Sequence, residues 1–246
     1  EIKPHPYGVE LGMLIKMLQS TKSRTLRGML CEDFSRVSPR VADEICQKAG
    51  VDAHKRPRNL KLEDEERLFK AMSEVKIMAP PASCVVPIGE DLCKTGLERA
   101  FKAEFVTTTT RPPAVYRGNP FVIEAGIAYG GELPLEESAE VLRLANRVPL
   151  LYQPRACAIT EAVIDTNWRS YGMQQPKGSV PIGPLAILVH VASVWVPFTS
   201  ESKEAIAHYP EILKEIKLGL QECGRRLGTF LRARQHAHYE LKRRSI

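Results

Sequence analysis

The 246-residue chain predicts an α+β, multidomain class: a small all-helical module, then an α/β domain that runs out into one long helix. Three observations carry this. Over the first 76 residues the apolar positions recur three and four apart and are punctuated by cap and turn residues. The stretch "APPASCVVPIG" then breaks the pattern. Beyond it apolar residues gather into strand-like runs, and residues 211–246 follow one helical seam.

The helical module reads in order. In "GVELGMLIKML", Leu11, Leu14, Ile15 and Leu18 share a face. "QSTKSR" interrupts, because Ser and Thr hydroxyls favour turns and caps over helix interiors. "TLRGMLCEDF" resumes with Leu26, Met29, Leu30 and Phe34. In "SRVSPRVADEICQKAG", Ser38 is the N-cap, Pro39 the first helical residue and Gly50 the stop. A fourth amphipathic helix is "LEDEERLFKAMSEV".

In the second part, "PFVIEAGIAYGG" alternates and ends on Gly-Gly, and "AEVLRLANRVPLLY" is rich in apolar residues. "GPLAILVHVASVWV" is nearly continuous, as expected of a central strand buried on both faces. "ITEAVIDTNWRSYG" reads as a crossover helix stopped by Gly172, which makes a mixed sheet. The last helix starts at Pro210, with Glu211 at its positive end. Leu213, Ile216, Leu220, Cys223, Leu227, Phe230, Ala237 and Leu241 mark a narrow seam that suits packing along one partner. A helix of about 35 residues spans roughly 50 Å, so its far end is expected to project. Gly219, Gly224 and Gly228 point to close packing or a bend.

Composition excludes several classes. An apolar content of 43% argues against disorder. Gly183 to Phe198, broken by His190, is too short for a membrane span, so no membrane partner is expected. The six cysteines form no CxxC pair, which makes a reducing, intracellular compartment the default: cytoplasmic, or nuclear in a eukaryotic source. His236 and His238 stand two apart and face different ways on a helix, so no metal site is expected. The net charge of +6 is uneven: residues 1–76 carry 15 basic against 12 acidic, residues 77–210 carry 11 against 13, and residues 211–246 carry 9 against 4.

Catalytic motifs are missing: no GxSxG, HExxH or GxxxxGK[ST]. Gly126, Gly130 and Gly131 read as a strand end and turn, "EDEER" as a solvated helix face, and His190 as a satisfied core histidine. Two features ask for more. Residues 16–40 hold six basic residues against two acidic, and Lys22, Arg24, Arg27 and Arg40 lie in or near turns before helix N-termini. Such turns offer cations and N–H groups to phosphates; a solvated basic surface is the alternative. The other is "VPFTSESKEAIAHYPEI", where a single lysine, Lys203, rides a loop between a buried strand and a helix.

The segments "PAVYRGNPFVIEAGIAYGGELP", "LRLANRVPLLY", "VPFTSESKEAIA" and "HPYGVELGMLIKMLQSTKSRTLRGMLCEDF" together resemble the B subunit of DNA topoisomerase VI, a type IIB topoisomerase of the GHKL group, over nearly the whole chain. The resemblance implies a helix-two-turn-helix module over residues 1–77 and a ribosomal-S5-like transducer domain over 78–246, with a stalk helix from about 210 to 246. No part matches the family's ATP-binding domain, and the chain begins with Glu1; both imply a piece of a longer protein, inactive alone and with no cofactor expected on it. In the whole protein the resemblance implies ATP and Mg, DNA relaxation and decatenation by double-strand passage, an A subunit met through the stalk, a second B subunit in an ATP-dependent dimer, and double-stranded DNA. It places Lys203 as the switch lysine that reaches the γ-phosphate held by the neighbouring domain. A cation on a loop fixed to a strand can stabilise charge developing in phosphoryl transfer, and loss of that phosphate would release the loop. The alternative is a free-standing architectural protein that binds nucleic acid without energy coupling.

Overall fold

The computed structural model describes residues 3–244. The chain forms two compact units: one runs to Ala82 and takes in Val115–Pro120, and the other holds Ser83–Ala114 and the chain from Phe121 onward.

The first unit is built from α1 (Leu11–Ser20), α2 (Leu26–Asp33), α3 (Pro39–Ala49) and α4 (Leu62–Glu74). Thr25 Oγ1 caps α2 by accepting from the Gly28 N–H at 3.1 Å, and Ser38 Oγ caps α3 through the Val41 N–H at 3.3 Å. Gly50 closes α3 in the left-handed region, at φ 65°. Leu14, Leu18, Leu26, Met29, Leu30, Ile45, Leu68 and Met72 fill the core, each worth about 1.5–3 kcal/mol of burial. The acidic face of α4 is less solvated than expected. Glu65 is buried, and Asp64 bonds Lys55 and Arg67, which hold its pKa down to about 2.

An N-terminal strap completes this unit. Tyr7 Oη donates to the Val75 carbonyl at 2.6 Å and accepts from the Ile77 N–H at 2.9 Å. His5 Nδ1 accepts from the Tyr7 N–H, so Nε2 carries the proton given to the Met78 carbonyl at 2.9 Å. Burial lowers the His5 pKa; the Met78 bond works against this and the Arg36 charge adds to it. Residues 115–120 pack on the strap so closely that a Cβ on Gly118 (φ 73°) would stand 2.7 Å from the Gly8 nitrogen.

The later elements are α5 (Glu90–Phe101), β1 (Phe105–Thr110), β2 (Ala114–Tyr116), β3 (Asn119–Tyr129), β4 (Glu140–Ala145), β5 (Val148–Pro149), α6 (Ala158–Asp165), β6 (Leu185–Ser193) and α7 (Pro210–Arg244), and all but most of β2 and the first two residues of β3 lie in the second unit. The main sheet order is β1-β3-β6-β4-β5. β3 pairs antiparallel with β1 and β6, whereas β4 runs parallel to β6, so the connection that carries α6 is a crossover. β6 is central and buried along its whole length, as its unbroken apolar run predicts.

Three expectations need correction. β3 does not alternate between core and solvent: all but its end residues are buried, because α5 covers one face through Cys93 and Leu97 while α7 lies on the other, with Gly219 against Ala125. "ANRVPLLY" is not one strand. It reverses at Asn146 and Arg147, both left-handed (φ 46° and 69°), as a two-residue hairpin turn requires. α6 stops at Asp165, where Trp168 Nε1 donates to the Val163 carbonyl at 2.7 Å, and Gly172 ends a separate 3-10 turn, Trp168–Tyr171.

α7 holds the sheet through Ile212, Ile216, Leu220, Cys223 and Leu227, all buried, and is exposed from Arg232 to Arg243. Its glycines serve close packing: a Cβ on Gly224 would lie 2.5 Å from the Tyr171 ring. Polar clamps flank that seam. Arg111 Nε meets Glu215 at 3.1 Å, Arg226 Nη1 donates to Thr107 Oγ1 and the Thr108 carbonyl, and Arg234 pairs with Glu104 at 2.9 Å.

Candidate functional site

β6 delivers the chain to the Lys203 loop. Phe198 bridges antiparallel to Ile206, the Thr199 N–H donates to the Ala205 carbonyl at 2.9 Å, and the Ala207 N–H donates to the Pro197 carbonyl at 2.7 Å. The tip is a turn closed by the Lys203 N–H on the Ser200 carbonyl at 3.1 Å, with the Ser200 and Ser202 hydroxyls 2.7 Å apart. Lys203 sits at φ 55°, a left-handed conformation that costs a non-glycine residue about 1–2 kcal/mol. Behind the tip Ala205 and Ile206 are fully buried; the Ile206 carbonyl accepts from the Ala158 N–H at 2.9 Å, and its N–H points to Cys157 Sγ at 3.4 Å. The result is a strained cation on a loop whose root is locked into the core. Lys203 is exposed, and no carboxylate among the described residues pairs with its ammonium. Such a group can take a phosphate oxygen without first breaking an ion pair.

The cations of the first unit are less uniform. Lys22 and Arg24 are exposed on the loop between α1 and α2. Arg27 is held by Asp43 of α3 at 3.1 Å. Arg40 is exposed three residues before Asp43, hence on the same side of α3. The first N–H groups of α2 are already taken: Leu26 donates to the Lys55 carbonyl and Arg27 to that of Ala53, both at 2.9 Å. At this helix the cations alone are offered to a phosphate. His236 pairs with Glu240 one turn on, at 3.7 Å, and no cluster of three metal-ligating side chains exists among the described residues.

One polar group escaped the sequence reading. Glu124, on β3, is 1% exposed, and each of its carboxylate oxygens receives two donors. Gly89 N–H and Thr110 Oγ1 reach Oε1; Ile88 N–H and His190 Nδ1 reach Oε2. His190 Nε2 accepts from the Arg147 N–H at 3.0 Å, which leaves the ring proton on Nδ1. Burial pushes the Glu124 carboxyl up, but the four donors outweigh it, and its pKa lies below the ordinary 4.5. The signal in the sequence was a lone glutamate inside "FVIEAG", because a carboxylate in a buried strand demands partners.

Fold and loop together define an α/β domain that carries a cation on a pinned loop and drives one long helix out of its sheet. Residues 80–244 match the family "Topoisomerase VI B subunit, transducer". The chain is 50% identical to the B subunit of type 2 DNA topoisomerase 6 from Methanococcoides burtonii and 51% identical to that of Methanosarcina mazei, each over 94% of this chain and 37% of the relative. Identity to the same subunit of Archaeoglobus fulgidus is 47%, over 94% of this chain and 38% of that one. The chain spans little more than a third of the length of these curated relatives. It belongs to the topoisomerase VI B subunit family.

Proposed function

We propose that this chain is the coupling part of a type IIB DNA topoisomerase B subunit, passing the state of a bound ATP to the DNA gate of a partner A subunit. The observation that carries this reading is Lys203: exposed, unpaired and strained at the tip of a loop whose root is buried beside α6. ATP and its Mg would be held by a neighbouring domain, and Lys203 would meet the γ-phosphate there. Its ammonium stabilises charge that develops as the phosphoryl group transfers, and it loses its partner on phosphate release. Relaxation and decatenation by double-strand passage then require an A subunit that receives the free end of α7, together with a second B subunit. Without the neighbouring domain the chain turns over no ATP.

Within this reading residues 1–77 are a helix-two-turn-helix module, and residues 78–246 are a ribosomal-S5-like transducer with α7 as stalk. Lys22, Arg24, Arg27 and Arg40 are its candidate contacts to duplex DNA, supported by four cations on adjoining loops and helices of one small unit. The work belongs inside the cell, where DNA and ATP are.

The test is Lys203→Ala in the complete B subunit in complex with its A partner. Duplex binding is expected to stay at wild-type level while ATP turnover and strand passage fall by at least about tenfold. Intact turnover and strand passage would remove Lys203 from the switch role and favour an architectural protein that only binds nucleic acid.

A further inference from the structure

The loop that carries Lys203 has a second fastening besides its buried root. His208, five residues further on, places its ring between two acceptors: Nε2 lies 3.0 Å from the Ala156 carbonyl, and Nδ1 is in contact with the Glu161 carboxylate. Ala156 ends the 3-10 turn Pro154–Ala156, and Glu161 lies in the first turn of α6. A carbonyl and a carboxylate only accept, so the ring satisfies both when both nitrogens carry protons. Apart from this contact with His208, Glu161 Oε2 has no hydrogen-bond partner among the described residues. His208 therefore reaches back across the junction from which α6 begins and ties the descending leg of the loop to it.

We propose that His208 and Glu161 are positioning residues for Lys203: a latch that fixes where the lysine stands without touching the nucleotide. The proposal rests on the reading of Lys203 given above. Four features support it. The tip Ser200–Lys203 is held internally by one backbone bond and a pair of serine hydroxyls, all solvent-exposed. The tip's geometry is strained at Lys203 itself, and strained conformers persist only where the surroundings over-determine them. The descending leg carries the polar side-chain fastening at His208 beyond buried Ala205 and Ile206, whereas the ascending leg is seated by buried Val196 and Pro197 and the backbone bridge at Phe198. Last, Glu161 lies in the first turn of α6, at the positive end of the helix, where the dipole favours a carboxylate.

Of the other charged side chains on the elements that His208 touches, Arg155 is exposed, and Asp165 is bonded to Lys217 at 2.8 Å. The ring and the carboxylate are each about 40% exposed (39% and 38%). A pair so placed is worth at most about 1 kcal/mol, which is about a fivefold change in a local opening equilibrium.

Two measurements test the latch and keep it apart from the role of Lys203. Hydrogen exchange of the Thr199, Lys203 and Ala207 amides in this chain is expected to speed up about fivefold in His208→Ala and in Glu161→Ala. The double variant should be no faster than either single one, and amides of α6 beyond its first turn should be unchanged. In the complete B subunit with its A partner, His208→Ala should lower ATP turnover about fivefold with unchanged nucleotide affinity. Combined with Lys203→Ala it should add nothing, since it acts only through the lysine.

Unchanged loop exchange in His208→Ala overturns the latch, as does an additive loss of turnover with Lys203→Ala. If exchange rises as expected but neither variant alters turnover, the latch stands as a feature of the loop, and it is the nucleotide role of Lys203 that fails.

Discussion

Glu124 and His190, 66 positions apart in the chain, meet at 2.7 Å in the middle of the sheet, where neither side chain reaches solvent. Through them the start of α5, the end of β1, the centre of β6 and the β4–β5 turn share one carboxylate. Glu124→Gln keeps the shape but turns an NH2 group towards two donors, which is expected to cost about 2 kcal/mol. Denaturant unfolding of the two proteins measures it.

The same carboxylate gives an acid signature. Its folded pKa is below 4.5, so its contribution is complete above that value and lost as pH falls through the folded pKa. Melting temperature followed from pH 6 to pH 3 should drop more steeply in the wild type than in Glu124→Gln.

A separate window belongs to His5. Burial, the largest influence, puts its folded pKa below the ordinary 6.5. Its contribution is present above 6.5 and lost as pH falls below it, when protonation of Nδ1 breaks the bond from the Tyr7 N–H. Between pH 7.5 and 5.5 the wild-type melting temperature should fall relative to that of His5→Gln.

Much of this molecule was legible beforehand because its strongest elements obey one period. The cap Ser38, the stop at Gly50, the buried run of β6 and the start of α7 at Pro210 lie where side-chain chemistry puts them. What escaped had weak or conflicting signals. α5 buries little beyond Cys93 and Leu97 and contains Gly96, so its seam is thin. β1 is "FVTTTT": its threonines are β-branched and fit a strand, but three of them are buried, which polarity hides. The turn at Asn146–Arg147 has no glycine to betray it. Lys203 stood out as a single lysine on a loop, but a role for it came only through likeness to a family, since an exposed lysine has no period. Its strain and its lack of an ion partner are properties of the folded loop.

The glycine at the crossing of α7 and Tyr171 makes a sharp test. Gly224→Ala improves helix propensity by about 1 kcal/mol, yet its methyl group would stand 2.5 Å from the aromatic ring. Overpacking of that kind costs about 1–3 kcal/mol, so a net loss of about 1 kcal/mol is expected. In a Tyr171→Ala background the same substitution should stabilise. Thermal melts of the four proteins decide it.

If the first unit holds duplex DNA, the four cations should not weigh equally. Lys22→Ala, Arg24→Ala and Arg40→Ala should each reduce the slope of log affinity against log salt by about 1. Arg27, already engaged by Asp43, should change it by less. Titration of a labelled duplex across a salt series reads all four.

Arg234 still reaches Glu104 from α7, and residues 235–243 beyond it are exposed. That segment is about 14 Å long. It makes the helix a lever arm whose fulcrum is the contact of Gly224 with Tyr171. Rotation by about 10° about that point, roughly 30 Å from the tip, sweeps the tip through about 5 Å, more than the difference between a hydrogen bond made and one broken. The clamps at Glu215, Arg226 and Arg234 then act as its stops.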